Sequence, residues 1–340
     1  MSLRAEADRV MAGERLTRAE SRELFGGALI EGADQRALAD LLVALAERGE
    51  TVEEIIGGAQ ALRAAMVPFD HDALEAVDTC GTGGDGLGSF NLSTAASLVA
   101  AAAGARVVKH GARSVSSKCG SADLLEAAGV RLELNPEQAR TVFDEVGMVF
   151  LFAPAFHPAM RFVAPVRREL GIRTIFNFLG PLCSPGGVRR QLLGVGVEAQ
   201  LGPFAAALAA LGAERAYVVH GAGGADELTL SGPNQVRTVG ALPESSFEAV
   251  ALGLEAADIG ALSGGEASEN LALLHGVLGG KVGPLRDAVL LNAGATLVVA
   301  GICETPAEGL ERGRAAIDSG AAGRVLEGLV RVSRQVEGQA

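Results

Sequence analysis

The chain has no tryptophan, a single tyrosine and only 4% aromatic residues, so the hydrophobic 49% of its 340 residues rests mainly on Ala, Leu and Val, beside 46 Gly. Cysteine is scarce too. Cys80, Cys119, Cys183 and Cys303 lie far apart with no C-x-x-C spacing, which excludes a zinc site and a disulfide framework and leaves them as small buried hydrophobes. Long apolar runs are missing. The best windows, around Leu92 to Ala103 and Val289 to Ile302, fall short of the roughly 20 residues of a bilayer span. Positive charge is in deficit, with 29 Lys and Arg against 41 Asp and Glu and a net charge of −12. That balance argues against nonspecific nucleic-acid binding, and an anionic ligand has to find a local basic site or bring its own cation. The N-terminal stretch "MSLRAEADRVMAGERL" lacks the apolar core and cleavage site of a signal peptide, so a cytoplasmic location is expected. No low-complexity tract or repeat of 20 to 50 residues is present.

What remains is the composition of a soluble globular protein, with length for two domains or one large domain with an appendage. The first seventy residues read as helices. Thr17 with Glu20 and Thr51 with Glu54 form capping-box pairs, and Leu38, Leu41, Leu42 and Leu45 mark one helical face that Gly49 ends. Pro68 and the polar "FDHD" after it mark a boundary, beyond which strands and helices alternate. Strands are expected at 76–79, 106–109, 130–134, 148–153, 191–197 and 215–219. Helices are expected at 93–103, 122–128 and from Asn135 and Pro136 to Gly147. The fold class is α/β: a small N-terminal helical domain plus a larger domain with a mostly parallel central sheet.

Between the first of these strands and its helix lies "DTCGTGGDGLGSFNLSTAA", with five glycines among positions 81 to 88. Gly81, Gly83 and Gly86 satisfy G-x-G-x-x-G, but a dinucleotide site also needs an acidic residue at the end of the next strand, about 20 positions on. Lys109 stands there instead, and no G-x-x-x-x-G-K-[ST] occurs. The turn therefore reads as an anion site of another type, with backbone N–H groups converging on phosphate at a helix N-terminus. Asn91, Ser93 and Thr94 add amide and hydroxyl donors, although each also suits a helix cap. One strand later, Lys109, His110, Arg113 and Lys118 lie among Ser114, Ser116, Ser117 and Ser121. That basic, hydroxyl-rich loop on the same sheet edge suits a phosphate. Asp226 and Glu227, after the glycine-rich "HGAGGA", offer oxygen ligands to a divalent cation shared with phosphates, or form a solvated acidic pair. Adjacent residues on a regular strand would face opposite ways, so a loop position or a pair of ions is expected there.

The blocks "GTGGD" from Gly81, "NLST" from Asn91, "KHGxRSVSS" from Lys109, "GSADLLE" from Gly120, "PVRRELGIRTIFNFLGPL" from Pro165, "DEL" from Asp226 and "LLNA" from Leu290 resemble the anthranilate phosphoribosyltransferases. They fall in that family's order, and the likeness spans nearly the whole chain. The resemblance implies a fold of the nucleoside phosphorylase/phosphoribosyltransferase type. It divides the chain into a helical domain at 1–72, with a segment around 165–190 packed back on it through a hinge, and an α/β domain at 73–340. It also implies a tryptophan-pathway enzyme that moves phosphoribose from phosphoribosyl pyrophosphate to anthranilate, Mg²⁺ as a pair of ions per subunit, and a homodimer formed through helical-domain surfaces. Neither nucleic acid nor membrane is an expected partner.

Carried over by position, the resemblance puts phosphoribosyl pyrophosphate at Gly81, Gly84, Asp85, Ser89, Asn91, Leu92, Ser93, Thr94 and Lys109, and along the loop His110, Gly111, Ala112, Arg113, Ser114, Val115, Ser116 and Ser117. It puts anthranilate at Gly81, His110, Ala112 and Arg167, and the metal at Ser93, Asp226 and Glu227. No general base is assigned. Lys109 and His110 are the catalytic candidates, and His110 either takes the proton after attack or serves a structural role. Of Arg167 and Arg168 only one can face the site, and the family alignment selects Arg167. In place of the family's K-H-G-N-R this chain has Ala112, which predicts weaker anthranilate binding or a different aromatic amine acceptor. The alternatives are such a related transferase, the nucleoside phosphorylase branch, whose blocks are absent, or a noncatalytic nucleic-acid-binding relative, which should be basic.

Overall fold

The computed structural model describes residues 3–114 and 117–336. Helices α1 (Leu3–Met11), α2 (Arg18–Ala28), α3 (Gln35–Arg48) and α4 (Val52–Ala64) form the N-terminal bundle. Both capping boxes are made: the Thr17 and Thr51 side chains accept from the backbone N–H of Glu20 and Glu54, whose carboxylates accept in return. Such a cap contributes about 1 kcal/mol. Leu38, Leu41, Leu42 and Leu45 of α3 are fully buried, and Gly49 closes that helix at φ +83.

The remainder runs β1 (Val77–Gly81), α5 (Leu92–Ala102), β2 (Val107–Gly111), α6 (Ser121–Ala127), α7 (Pro136–Val146), β3 (Met148–Phe152), a single-turn α8 (Ala153–Phe156), α9 (Ala164–Leu170), a single-turn α10 (Phe176–Leu179), β4 (Arg190–Gly194), α11 (Leu201–Ala210), β5 (Arg215–His220), β6 (Gln235–Gly240), α12 (Ala267–Leu278), α13 (Pro284–Ala300), α14 (Pro306–Asp318) and α15 (Ala321–Gln335). The sheet order is β3-β2-β1-β4-β5-β6, parallel throughout except for the antiparallel edge strand β6. Strand order reverses between β1 and β4, and in such sheets ligands bind outside the carboxyl ends of the strands at that switch point. Gly81 of β1 is in register with Gly194 of β4 there.

Side chains on the central strands alternate between two cores. Leu192, Tyr217 and Val219 join α5, α7, α13 and α15 on one face, while Leu193, Ala216 and Val218 join α11 and the N-terminal helices on the other. Val163, Val166, Phe176 and Leu179, from α9, α10 and the turn before them, share that second core with α3 and α4. The two apolar windows of the sequence are α5 and α13, core helices buried almost all round. α13 meets α14 so closely that a Cβ on Gly309 would stand 2.7 Å from Cα of Gly294. No helix among the described residues is long and apolar enough to cross a membrane.

One expected strand is corrected. Residues 130–134 form no strand, although Val130, Leu132 and Leu134 are buried in alternation with half-buried Arg131 and exposed Glu133. The segment lies under α15 instead of beside β3: Arg131 N–H donates to Ser333 Oγ at 3.0 Å. Period-2 burial thus came from packing under a helix. Strand β6, with mostly exposed side chains, carries no such alternation and was not anticipated.

Candidate active site

The glycine turn leaves β1 at the switch point with φ values of +64, +74, +73 and +61 at Gly83, Gly84, Gly86 and Gly88. A Cβ on Gly81 would overlap Oδ2 of Asp226, and one on Gly194 would overlap the backbone oxygen of Asp226. The two glycines form a slot that lets the 221–230 loop cross the ends of β1 and β4. Within it, Gly83 N–H donates to Asp226 Oδ2 at 2.7 Å, and Ser93 N–H, at the start of α5, donates to Glu227 Oε1 at 2.8 Å. Amides that the sequence aims at phosphate are here held by carboxylates, as expected of N–H groups at a helix N-terminus.

Asp226 and Glu227 lie in a loop, which meets the objection to a strand position. Burial pushes both carboxyls well above the usual carboxylate range, and Asp85 raises Asp226 further while Asp226 raises Glu227. Asp85 accepts from Leu87 N–H at 3.1 Å through Oδ1, while its Oδ2 is buried and unpartnered. Crowded carboxylate oxygens with one left over are the donor set of a hard divalent cation. No group of three or more His, Cys, Asp or Glu among the described residues could hold an ion unaided. Oxygens of a bound phosphate are needed to complete the shell.

Lys109 is on β2 and not in the loop, with 1% exposure. Its Nζ donates to the backbone oxygen of Thr79, to Thr79 Oγ1 at 3.3 Å and to Ser93 Oγ at 3.4 Å. Burial lowers its pKa, opposed by the fields of Asp78, Glu227 and Asp226. The switch point thus holds a buried ammonium against acidic oxygens, with Ser93 touching both.

Residues 7–66 match the glycosyl transferase family helical bundle domain and residues 73–323 its a/b domain. An anthranilate phosphoribosyltransferase of Moorella thermoacetica is 46% identical over 330 residues, 96% of this chain and 97% of its own. The chain belongs to the anthranilate phosphoribosyltransferase family. The crystal structure of the Thermus thermophilus member superposes with a TM-score of 0.92 at 46% identity, covering 98% of this chain and 100% of that one. The Saccharomyces cerevisiae member, solved in complex with phosphoribosyl pyrophosphate and Mg, gives 0.89 at 26% identity, with 98% of each chain covered.

Against this anthranilate phosphoribosyltransferase fold, the other expected positions divide. Asn91 does not cap α5: its Nδ2 donates to the Cys119 backbone oxygen at 3.0 Å, and its Oδ1 accepts from Asn270 Nδ2 at 2.9 Å. Thr94, fully buried, donates to Ser121 Oγ at 3.0 Å. Ser89 bridges to Ser263, and the Leu92 side chain is core. Gly111 backs onto Phe150, where a Cβ would meet the ring at 2.9 Å. The expected basic loop is less basic than its composition: exposed Arg113 is bonded to Asp123 and twice to Glu126. Asp123 also accepts from Ser114 and Gly120 N–H, and Ser114 bonds Ser117. Ala112 is exposed, and its carbonyl accepts from Ala122 N–H at 3.3 Å. Val115 and Ser116 lie outside the described residues. Arg167 is half-buried, 5.7 Å from the Phe176 ring centroid, and desolvation lowers its pKa, whereas Arg168 is exposed.

Two neighbours escaped sequence reasoning. Arg173 abuts Gly84. His157 packs its ring 5.0 Å from that of His110, and Nε2 of His110 and both ring nitrogens of His157 are buried without partners. His157 follows the carboxyl end of β3, the strand beside the one that ends with His110 and Gly111, and that was the available signal. Burial, then His157 and Lys109, pushes His110 down to about 3; burial pushes His157 down to about 4.

A histidine kept neutral in the fold stabilises fully above its free pKa of about 6.5, and that stability is lost as pH falls toward the folded value, because the unfolded chain binds the proton first. Urea unfolding of the wild type and His157→Phe at pH 7 and pH 5 should show the variant losing about 2 kcal/mol less between them. Equal losses would show that His157 is not buried in neutral form.

Proposed function

We propose that the chain transfers phosphoribose from phosphoribosyl pyrophosphate to the amine of anthranilate, releasing pyrophosphate, as a tryptophan-biosynthetic enzyme that uses Mg²⁺. The observation that carries this is the paired seizure of the Gly83 and Ser93 amides by Asp226 and Glu227 at the switch point. These carboxylates, with Ser93, would hold the metal, as a pair of ions per subunit. Bound there, Mg²⁺ would neutralise charge growing on the leaving pyrophosphate. With the carboxylates holding a cation, the Gly83 and Ser93 N–H groups would be free to donate to phosphate oxygens.

Cleavage at the anomeric carbon leaves positive charge on the ribose and negative charge on pyrophosphate. Lys109 lies where it stabilises that negative charge, and the turn amides hold the donor in line. The aromatic amine is neutral at pH 7 and attacks without prior deprotonation. With its pKa at about 3, His110 is a poor proton acceptor near neutrality, which favours a role in positioning the acceptor. The half-buried Arg167 guanidinium suits the anthranilate carboxylate, and the donor is read as lying among Gly81, Gly84, Asp85, Ser89, Asn91, Leu92, Ser93, Thr94 and the loop that begins at Lys109. The helical domain, 1–72, is read as hinged against the α/β domain, 73–340, with residues 165–190 packed back across the hinge. A homodimer through the helical surface is supported by exposed Met11 and Ile30, and the expected compartment is the cytoplasm.

The test is to mix the protein with phosphoribosyl pyrophosphate, Mg²⁺ and anthranilate and follow loss of anthranilate fluorescence. Loss is expected, abolished by EDTA and restored by Mg²⁺. No loss with anthranilate, but turnover of another aromatic amine, would move the acceptor assignment to Ala112. Ala112→Asn in the same assay should lower KM for anthranilate and leave that for the donor unchanged.

A further inference from the structure

We propose that Arg173 is a positioning residue for the known reaction, gripping the diphosphate of the phosphoribosyl donor across Gly84. This rests on the function proposed above. Arg173 lies in the connector between α9 and α10, with its guanidinium carbon 5.1 Å from the Phe178 ring centroid. Nε and Nη2 are buried and bonded to nothing. A Cβ on Gly84 would stand 3.5 Å from Nη1, so the guanidinium rests against the glycine turn at a position with φ +74.

A guanidinium cannot shed its charge, and each buried N–H left unpaired is costly. The nearby acid does not relieve it. Glu50, just past the Gly49 cap of α3, is pushed up by burial despite the fields of Arg48 and Arg173, and no ion pair joins it to Arg173 among the described residues. A guanidinium with two unpartnered donors, whose Nη1 edge lies against a turn that carries no side chain, forms half of an anion site. The turn is the element expected to cradle phosphate, so the missing acceptor is a diphosphate oxygen pair. The anthranilate carboxylate is the other anion at hand, and Arg167 is already read as its partner.

The test is steady-state kinetics on the wild type, Arg173→Gln and Arg173→Lys, with thermal melts, and calorimetric titration of each with inorganic pyrophosphate and Mg²⁺. Arg173→Gln should raise KM for phosphoribosyl pyrophosphate about tenfold, weaken pyrophosphate in parallel and leave KM for anthranilate within about twofold. Arg173→Lys keeps the charge but loses the fork, and should recover part of both losses. Unchanged donor KM and pyrophosphate affinity in a variant that melts like the wild type would overturn the proposal, as would a rise confined to anthranilate. If the wild type turns over no phosphoribosyl donor, the proposed function fails. The pyrophosphate titrations then still decide Arg173 by the same criterion.

Discussion

Lys109→Met is expected to lower kcat/KM for phosphoribosyl pyrophosphate by about 10² to 10³-fold, the range seen when one preorganised charge or donor is removed from a developing anion. Lys109 is 1% exposed and bonds Thr79 and Ser93, and the field of Glu227 reaches it. Methionine fills much of the same volume, so the loss isolates charge from packing. Breaking a buried charge cluster by removing one sign costs about 3 to 5 kcal/mol where the remaining charges cannot escape. Asp226 and Glu227 can escape, because their pKa values are already raised and they take up protons more readily once the ammonium is gone. The stability loss should therefore fall below that range. Steady-state kinetics and urea unfolding read the two effects separately. Full donor affinity in the variant would remove Lys109 from the site.

Gly81→Ala is expected to lower turnover sharply while leaving the fold nearly intact. Its new methyl group overlaps the end of the Asp226 side chain, Oδ2 and then Cγ at 2.8 Å, and a carboxylate can rotate away. Rotation breaks the bond from Gly83 N–H and withdraws an oxygen from the proposed metal position. A loss of about 10²-fold or more in kcat/KM, with a melting temperature within a few degrees of the wild type, is the expected outcome. Gly194→Ala is the contrasting case. There the clash is with the backbone oxygen of Asp226, which cannot rotate away, so the 221–230 loop itself has to move and stability falls with activity. Equal melting temperatures for the two variants would show that the slot between β1 and β4 is wider than described.

Much of this site was legible in the chain. Five glycines between a strand and a run of small helix formers read as an anion turn, and the structure places them at the switch point with positive φ at four of them. The acidic pair after "HGAGGA" read as a cation position because hard divalent ions take oxygen ligands, and the structure sets it against that turn. The basic loop was misread in part: Lys109, the last residue of the strand expected at 106–109, faces inward, and Arg113 is tied up by Asp123 and Glu126. Composition counts charges but not their partners. Arg173 and His157 were passed over because each is an ordinary residue in its own segment, and becomes notable only through the turn or ring packed against it.

Local order lay in the residues: both capping boxes, the leucine face of α3 and the αL glycines depend on contacts within a few positions, so short-range sterics and hydrogen bonding suffice to specify them. Residues 130–134 show the limit of such reading, since alternating burial suits a strand and an extended segment under α15 equally. Which strands became neighbours, and hence that Gly81 faces Gly194 with Asp226 crossing between them, was decided only when the chain closed up. The bonds from the Gly83 and Ser93 amides to Asp226 and Glu227 span more than a hundred residues, and the same packing removed water from Lys109. Depth of burial and the partners met there are properties of the assembled fold, because desolvation depends on every element that covers a group and on none of them alone.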